Sequence, residues 1–153
     1  DGRSNMAHSY LLACATAGMH VRISAPANYQ PDPAVVADAQ AIAAKTGGSA
    51  SIVSDPREAT TGADVVVTDT WVSMGVESEK AERVAAFAGY SVDADLMSLA
   101  KPDAVFMHCL PAYRGYEVSA DVLDGPQSII WDEAENRLHA QKALLIWLLS
   151  QQG

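Results

Sequence analysis

Short apolar runs rich in β-branched residues alternate along the chain with longer stretches whose apolar positions recur at helical spacing. The short runs predict strands at Val21–Ala25, Ser51–Ser54, Val65–Thr68, Val105–His108 and Ser128–Trp131. Near-continuous apolar runs of this kind suit strands buried on both faces. Strands alternating with helices give an α/β chain with a doubly wound parallel sheet.

The helical stretches are well punctuated. One over Met6–Ala17 starts after Ser4 or Asn5 and stops at Gly18. Asp32 followed by Pro33 is a capping residue before a first-turn proline, and that helix runs to Gly47. Asp55-Pro56 repeats the device for a short turn ending near Gly62. Weaker helices follow at Glu79–Ala88, Asp93–Leu99 and Ser119–Leu123, and a last one runs from about Glu133 to Ser150. No repeat, low-complexity segment or linker interrupts the chain, so residues 1–153 form one domain. Two segments read as incomplete. The turn Asp1–Asn5 leads into a helix as though a strand came before it. Ala143–Leu149 is apolar all round, as in a helix covered on both sides, one side on the sheet and the other on a partner.

A length of 153 residues with 49% hydrophobic content can bury a substantial core. Ten basic residues against nineteen acidic leave a formal net charge of −9, which disfavours nucleic acid and anionic membranes as partners. A helix N-terminus with one arginine still holds a small anion, so phosphorylated metabolites stay open. Of the two cysteines, Cys14 lies in an apolar helical stretch and reads as a core residue. Two cysteines make no disulfide framework, and a reduced, cytoplasmic setting fits. The longest apolar run is far short of a membrane span.

Three strings follow predicted strands: Asp69-Thr70-Trp71-Val72-Ser73-Met74-Gly75, His108-Cys109-Leu110-Pro111 and Glu135-Asn136-Arg137. In an open α/β sheet ligands collect beyond the carboxyl ends of the strands. An acid, a thiol and a guanidinium brought together there suit an amine and a phosphorylated electrophile. From local sequence alone Asp69 is as much a turn residue as a counter-charge. Asn5 reads as a helix cap, Cys109 as a small buried hydrophobe, and Arg137 as half of a weak surface ion pair. His108 points away from Cys109 along the strand and reads as structural, and His139 lies behind Arg137. His8 and His20 have no partner pattern. No histidine, cysteine and carboxylate spacing suggests a zinc site, so no metal or other cofactor is expected.

Together the strings resemble the second, ornithine-binding domain of the ornithine carbamoyltransferase family, from Asp1 to about Leu149, with Ser73-Met74-Gly75 the most specific part. The resemblance implies a Rossmann-like fold of the aspartate/ornithine carbamoyltransferase type, with a further strand in mid-sheet before Asp1 and a preceding carbamoyl-phosphate-binding domain. It implies that Asp69 binds the ornithine α-ammonium, that Asn5 faces the carboxylate, and that Ser73 and Met74 contact the same substrate. Gly75 would let that loop swing over it. Cys109 and Leu110 would line the junction of the two substrates, the Leu110 carbonyl accepting from the carbamoyl NH₂. Arg137 would reach the carbamoyl and phosphate oxygens, its fork of donors permanently charged. The reaction implied is carbamoyl transfer from carbamoyl phosphate to the δ-amine of L-ornithine, giving L-citrulline and phosphate without a metal, in arginine biosynthesis or a urea-cycle-type step. A homotrimer or a multiple of trimers is implied as well. The attacking amine has a solution pKa near that of lysine, about 10.4, and must lose a proton first. Cys109 is the nearest candidate to receive it, as a base or as a group that only positions the amine. The rivals are a transcarbamylase with another amine substrate and a non-catalytic amino-acid-binding module. A dinucleotide-binding domain is rejected, because its first turn needs G-x-G-x-x-G and Asp1-Gly2-Arg3-Ser4-Asn5-Met6 offers one glycine.

Overall fold

The computed structural model describes residues 1–72, 75 and 77–151. A turn at the start of the chain feeds α1 (Asn5–Thr16), followed by β1 (His20–Ser24), α2 (Pro33–Thr46), β2 (Ser49–Val53), α3 (Pro56–Thr60) and β3 (Val65–Thr68). Then come α4 (Lys80–Ala86), α5 (Ala94–Met97), β4 (Val105–His108), α6 (Ala120–Leu123) and α7 (Ile130–Ser150). The capping acids act as their spacing predicts. Asp32 accepts the Ala34 N–H at 2.8 Å and Asp55 the Arg57 N–H at 2.8 Å; Asp93, which the sequence places inside its helix, caps it instead, accepting the Leu96 N–H at 2.8 Å. Gly47 closes α2 with φ 86°, a left-handed position that glycine takes without cost.

β1 pairs with β2 in parallel from His20 opposite Ser49 to Ser24 opposite Val53. β3 pairs with β4 in parallel from Val65 opposite Val105 to Thr68 opposite His108. Among the described strands no ladder joins the two pairs. Between them lies a cavity of about 120 Å³, lined by Arg22 and Ser24 of β1 on one side and by Val65–Thr68 of β3 on the other. The Ser24 hydroxyl is buried there without a partner among the described residues.

Each pair carries its own core. Leu11 and Ala15 of α1 and Ala39 and Ala43 of α2 meet Val21 and Ala50 on the first pair; small alanines let the helices approach closely. Cys14 is half-buried against this cluster. Val66 and Phe106 of the second pair meet Val92, Leu96, Met97 and Val118, and Ile130 closes that core. An aromatic group of Tyr29, Trp71 and Phe87 packs separately, with Trp71 stacked on Phe87 at 5.7 Å.

Two sequence expectations are corrected. Ser128–Trp131 is not a strand. Ser128 forms a single bridge to Phe106, with Phe106 N–H donating to the Gln127 carbonyl and Ile129 N–H to the Phe106 carbonyl. The backbone then turns helical, because the Ile129 carbonyl accepts the Glu133 N–H instead of continuing the ladder. Hence α7 begins at Ile130, three residues earlier than its acidic first turn suggests. The apolar run Ala143–Leu149 was expected to lay one side on the sheet. Leu144 through Leu149 are all exposed, since α7 leaves the body after its first turns. No helix among the described residues is long and apolar enough to cross a membrane.

Candidate active site

The parallel register fixes the central contact. Thr68 lies opposite His108, so the next residues, Asp69 and Cys109, meet just beyond the two strand ends. The Cys109 thiol donates to Asp69 Oδ1 at 3.2 Å, and the Thr70 N–H donates to the same oxygen at 2.7 Å. Oδ2 takes no hydrogen bond among the described residues. One carboxylate oxygen is therefore committed to Thr70 and Cys109, and the other is unclaimed among the described residues. Burial, then the hydrogen bond to Asp69 and the charges of Asp69 and Glu133, push the Cys109 thiol up to about 12. At neutral pH the sulfur is a proton donor. Of the two roles left open for Cys109, base or group that positions the amine, a protonated thiol bonded to Asp69 suits the second.

His108 faces the other way, fully buried, as its strand position predicts. Its Nδ1 accepts the Leu110 N–H at 2.9 Å, which places the ring proton on Nε2, 3.3 Å from Glu117 Oε1. Glu117, 1% exposed, also accepts the Tyr113 N–H at 2.6 Å. The pair holds Leu110 at φ 57°, a left-handed conformation that costs a non-glycine residue about 1–2 kcal/mol. A buried carboxylate and imidazole thus shape the turn that presents the Leu110 backbone.

Asn5 is the first helical residue of α1. The cap is not Asn5: the Ser4 hydroxyl accepts the Ala7 N–H at 3.1 Å. Asn5 is exposed and its amide is unengaged among the described residues. The preceding turn is pinned, since a Cβ on Gly2 would stand 2.6 Å from the Tyr29 carbonyl oxygen.

Arg137 is exposed on α7 and makes no ion pair among the described residues, so the surface pairing that its local sequence allows is not formed. His139 pairs with Glu135 at 3.4 Å on the exposed face. The acid that does turn inward is Glu133, which accepts the His108 N–H at 2.9 Å and lies 3.4 Å from the Tyr10 hydroxyl. Burial first, then the Glu133 charge, raises the Tyr10 hydroxyl well above its ordinary value.

Ser73 and Met74 lie outside the described residues. Both ends of their loop are anchored by one buried cation. Arg83 donates to the Trp71 carbonyl at 3.2 Å, to Glu79 at 2.9 Å and to Asp1 at 2.7 Å. Sequence reasoning missed Tyr10, Arg83, Glu117 and Glu133. Apart from Glu79 beside Arg83 and His108 beside Glu117, their partners are 12 or more residues away or are backbone groups, so spacing carried little signal; the rarity of buried charge speaks for Arg83 and Glu117. Among the described residues no three His, Cys, Asp or Glu side chains form a group able to hold a metal ion.

The family model described as the aspartate/ornithine carbamoyltransferase, Asp/Orn binding domain matches residues 1–148. Over 151 residues the chain is 70% identical to an ornithine carbamoyltransferase of Leifsonia xyli subsp. xyli, covering 99% of this chain and 48% of that protein. It matches the solved ornithine carbamoyltransferase of Pyrococcus furiosus with a TM-score of 0.86 at 50% identity, over 91% of this chain and 44% of that one. The anabolic ornithine carbamoyltransferase of Campylobacter jejuni gives a TM-score of 0.91 at 43% identity, over 96% and 48%. The chain spans about half the length of the curated relatives it matches. With strand order, strand-end acid and thiol, and a family match over nearly its whole length, the chain belongs to the aspartate/ornithine carbamoyltransferase family as an Asp/Orn binding domain.

Proposed function

We propose that the protein carrying this domain transfers the carbamoyl group of carbamoyl phosphate to the δ-amine of L-ornithine, giving L-citrulline and phosphate. The observation that carries the reading is the Asp69–Cys109 pair at adjacent strand ends. Asp69 Oδ2 takes the α-ammonium and Asn5, with its free amide, the α-carboxylate; Ser73 and Met74 contact the same substrate. The proton shed by the attacking nitrogen leaves with the departing phosphate, and the δ-amine reacts in its neutral form. Its lone pair attacks the carbamoyl carbon, an N–C bond forms, and the C–O bond to phosphate breaks. The Leu110 carbonyl accepts from the carbamoyl NH₂, and Arg137 donates to the carbonyl and phosphate oxygens, a preorganised donor of a kind typically worth about 3–4 kcal/mol in the transition state.

One arginine and a backbone turn do not satisfy a dianionic phosphate, so the remaining donors come from a separate carbamoyl-phosphate-binding domain. The slot between β1 and β3 takes a further parallel strand, which would join the two pairs into one doubly wound sheet and hydrogen-bond both free edges. A cytoplasmic homo-oligomer built on trimers fits the family likeness.

The test is citrulline formation by the full-length protein and its Asp69→Asn variant. Breaking a close charge pair from one side costs about 2–5 kcal/mol, so the ornithine KM is expected to rise at least about thirtyfold while the melting temperature holds. Native ornithine affinity in the variant makes Asp69 a turn residue; product from another amine, and none from ornithine, moves the protein to another transcarbamylase class.

A further inference from the structure

Helix α7 carries Arg137, yet little holds α7. Ile130 is its one buried residue among those described, and its apolar side chains from Leu144 to Leu149 are exposed. The direction of the helix, and with it the place of a guanidinium about 6 Å along the axis from Glu133, is set in the first turns.

One side chain there engages two other elements. Glu133 Oε2 accepts the His108 N–H at 2.9 Å, and Oε1 lies 3.4 Å from the Tyr10 hydroxyl of α1. The backbone explains why this acceptor is needed. The bridge between Phe106 and Ser128 would continue with His108 N–H donating to the Ile129 carbonyl. That carbonyl is instead taken by the first helical bond, from Glu133 N–H. The Glu133 carboxylate fills the vacated ladder position, a charge-assisted bond stronger than the one it replaces. Its neighbour Asp132 shows what a plain first-turn acid looks like: it suits the helix dipole but is exposed and bonded to nothing among the described residues.

We propose that Glu133 is a positioning residue, locking the helix that carries Arg137 to the strand end that carries Cys109 so that the guanidinium and the acid–thiol pair act on one substrate. Residues 133 and 137 are one helical turn apart, and residues 108 and 109 are adjacent, so the Glu133–His108 bond links the two halves of the site directly. Tyr10 extends the lock to α1, the helix that begins with Asn5. The inference rests on the carbamoyl-transfer reading.

The experiment uses the full-length protein. In Glu133→Ala, kcat is expected to fall about tenfold or more while the ornithine KM stays within about twofold, the pattern of an interaction realised in the transition state. Glu133→Gln keeps an acceptor for the His108 N–H and is expected to hold kcat within about threefold. If Glu133→Ala does not fold, Glu133→Asp, one methylene short of the N–H, takes its place with a loss between the other two. A second readout needs no turnover. Asp69, Glu133 and Tyr10 face Cys109, and removing the Glu133 charge is expected to move the pH profile of Cys109 alkylation to lower pH in Glu133→Gln. Native kcat in Glu133→Ala, or equal loss in the alanine and glutamine variants, overturns the proposal, as does an unmoved alkylation profile. Absence of citrulline from the unmodified protein overturns the functional reading instead, and the alkylation profile still decides the placement of Glu133.

Discussion

A thiol that donates to a carboxylate behaves unlike the reactive cysteines its strand-end position suggests. With its pKa pushed up to about 12, chiefly by burial and then by Asp69, Cys109 keeps its proton through the neutral range. The raised value means that the folded protein holds this proton more tightly than the unfolded chain. The stabilisation is full below the ordinary thiol value and is lost as pH climbs toward 12. For alkylation, the scarcer thiolate is partly offset by its greater nucleophilicity, leaving Cys109 roughly a hundredfold slower than a free thiol near pH 7. Iodoacetamide rates between pH 7 and 10, followed by peptide mass analysis, are expected to show that lag and its reduction in Asp69→Asn. A free-thiol profile in the native protein removes the Asp69 bond from the site. The same scale shows what a sequence string carries and what it omits. Asp69 and Cys109 were legible because strand ends and family strings mark them. Glu117 and Glu133 were not, because each bonds to backbone N–H groups whose positions exist only after folding.

At the scale of elements, the caps were legible and the last strand was not. Asp32 and Asp55 lie directly before their helices, and each accepts an N–H of the first turn as the pattern assigns. Ser128–Trp131 has strand-forming residues, but the choice between ladder and helix turns on one carbonyl, that of Ile129, which side-chain propensity does not register. At the start of α1 the two neighbouring polar residues divide the work. Ser4 caps the helix, so Ser4→Ala is expected to cost about 1 kcal/mol of stability. Asn5 is helical, exposed and unengaged, so Asn5→Ala is expected to stay within about 0.5 kcal/mol by thermal denaturation. In the full-length protein Asn5→Ala is instead expected to raise the ornithine KM. A reversed pattern, with Asn5→Ala destabilising and Ser4→Ala silent, returns Asn5 to a capping role and removes it from the substrate.

At the scale of the whole molecule, the two strand pairs and the exposed helix α7 bear on how the 153 residues behave when tested alone. The class of fold was legible because alternation of strand and helix is a local pattern. The gap in the sheet was foreshadowed only by the turn at Asp1–Asn5. The free edges of β1 and β3 face a cavity that no described segment fills, and unpaired edges template association. Helix α7 adds a second adhesive surface: Leu145, Ile146 and Leu149 are 61%, 58% and 67% exposed. A contiguous apolar patch of this kind marks an interaction surface, and without its partner it invites self-association. Residues 1–153 expressed alone are therefore expected to self-associate at micromolar concentration and to form no citrulline, since the donors for phosphate are incomplete. Replacing Leu145 and Leu149 with glutamate is expected to shift the population toward monomer by light scattering, because the patch is broken by charge. Addition of the remainder of the full-length protein as a separate polypeptide is expected to suppress association of the unmodified chain and to bring activity with it. The glutamate variant is expected to resist that rescue if the surface that drives self-association is also the one that docks the added polypeptide. Turnover by the isolated chain, or rescue of the glutamate variant as efficient as that of the unmodified chain, contradicts this account of α7.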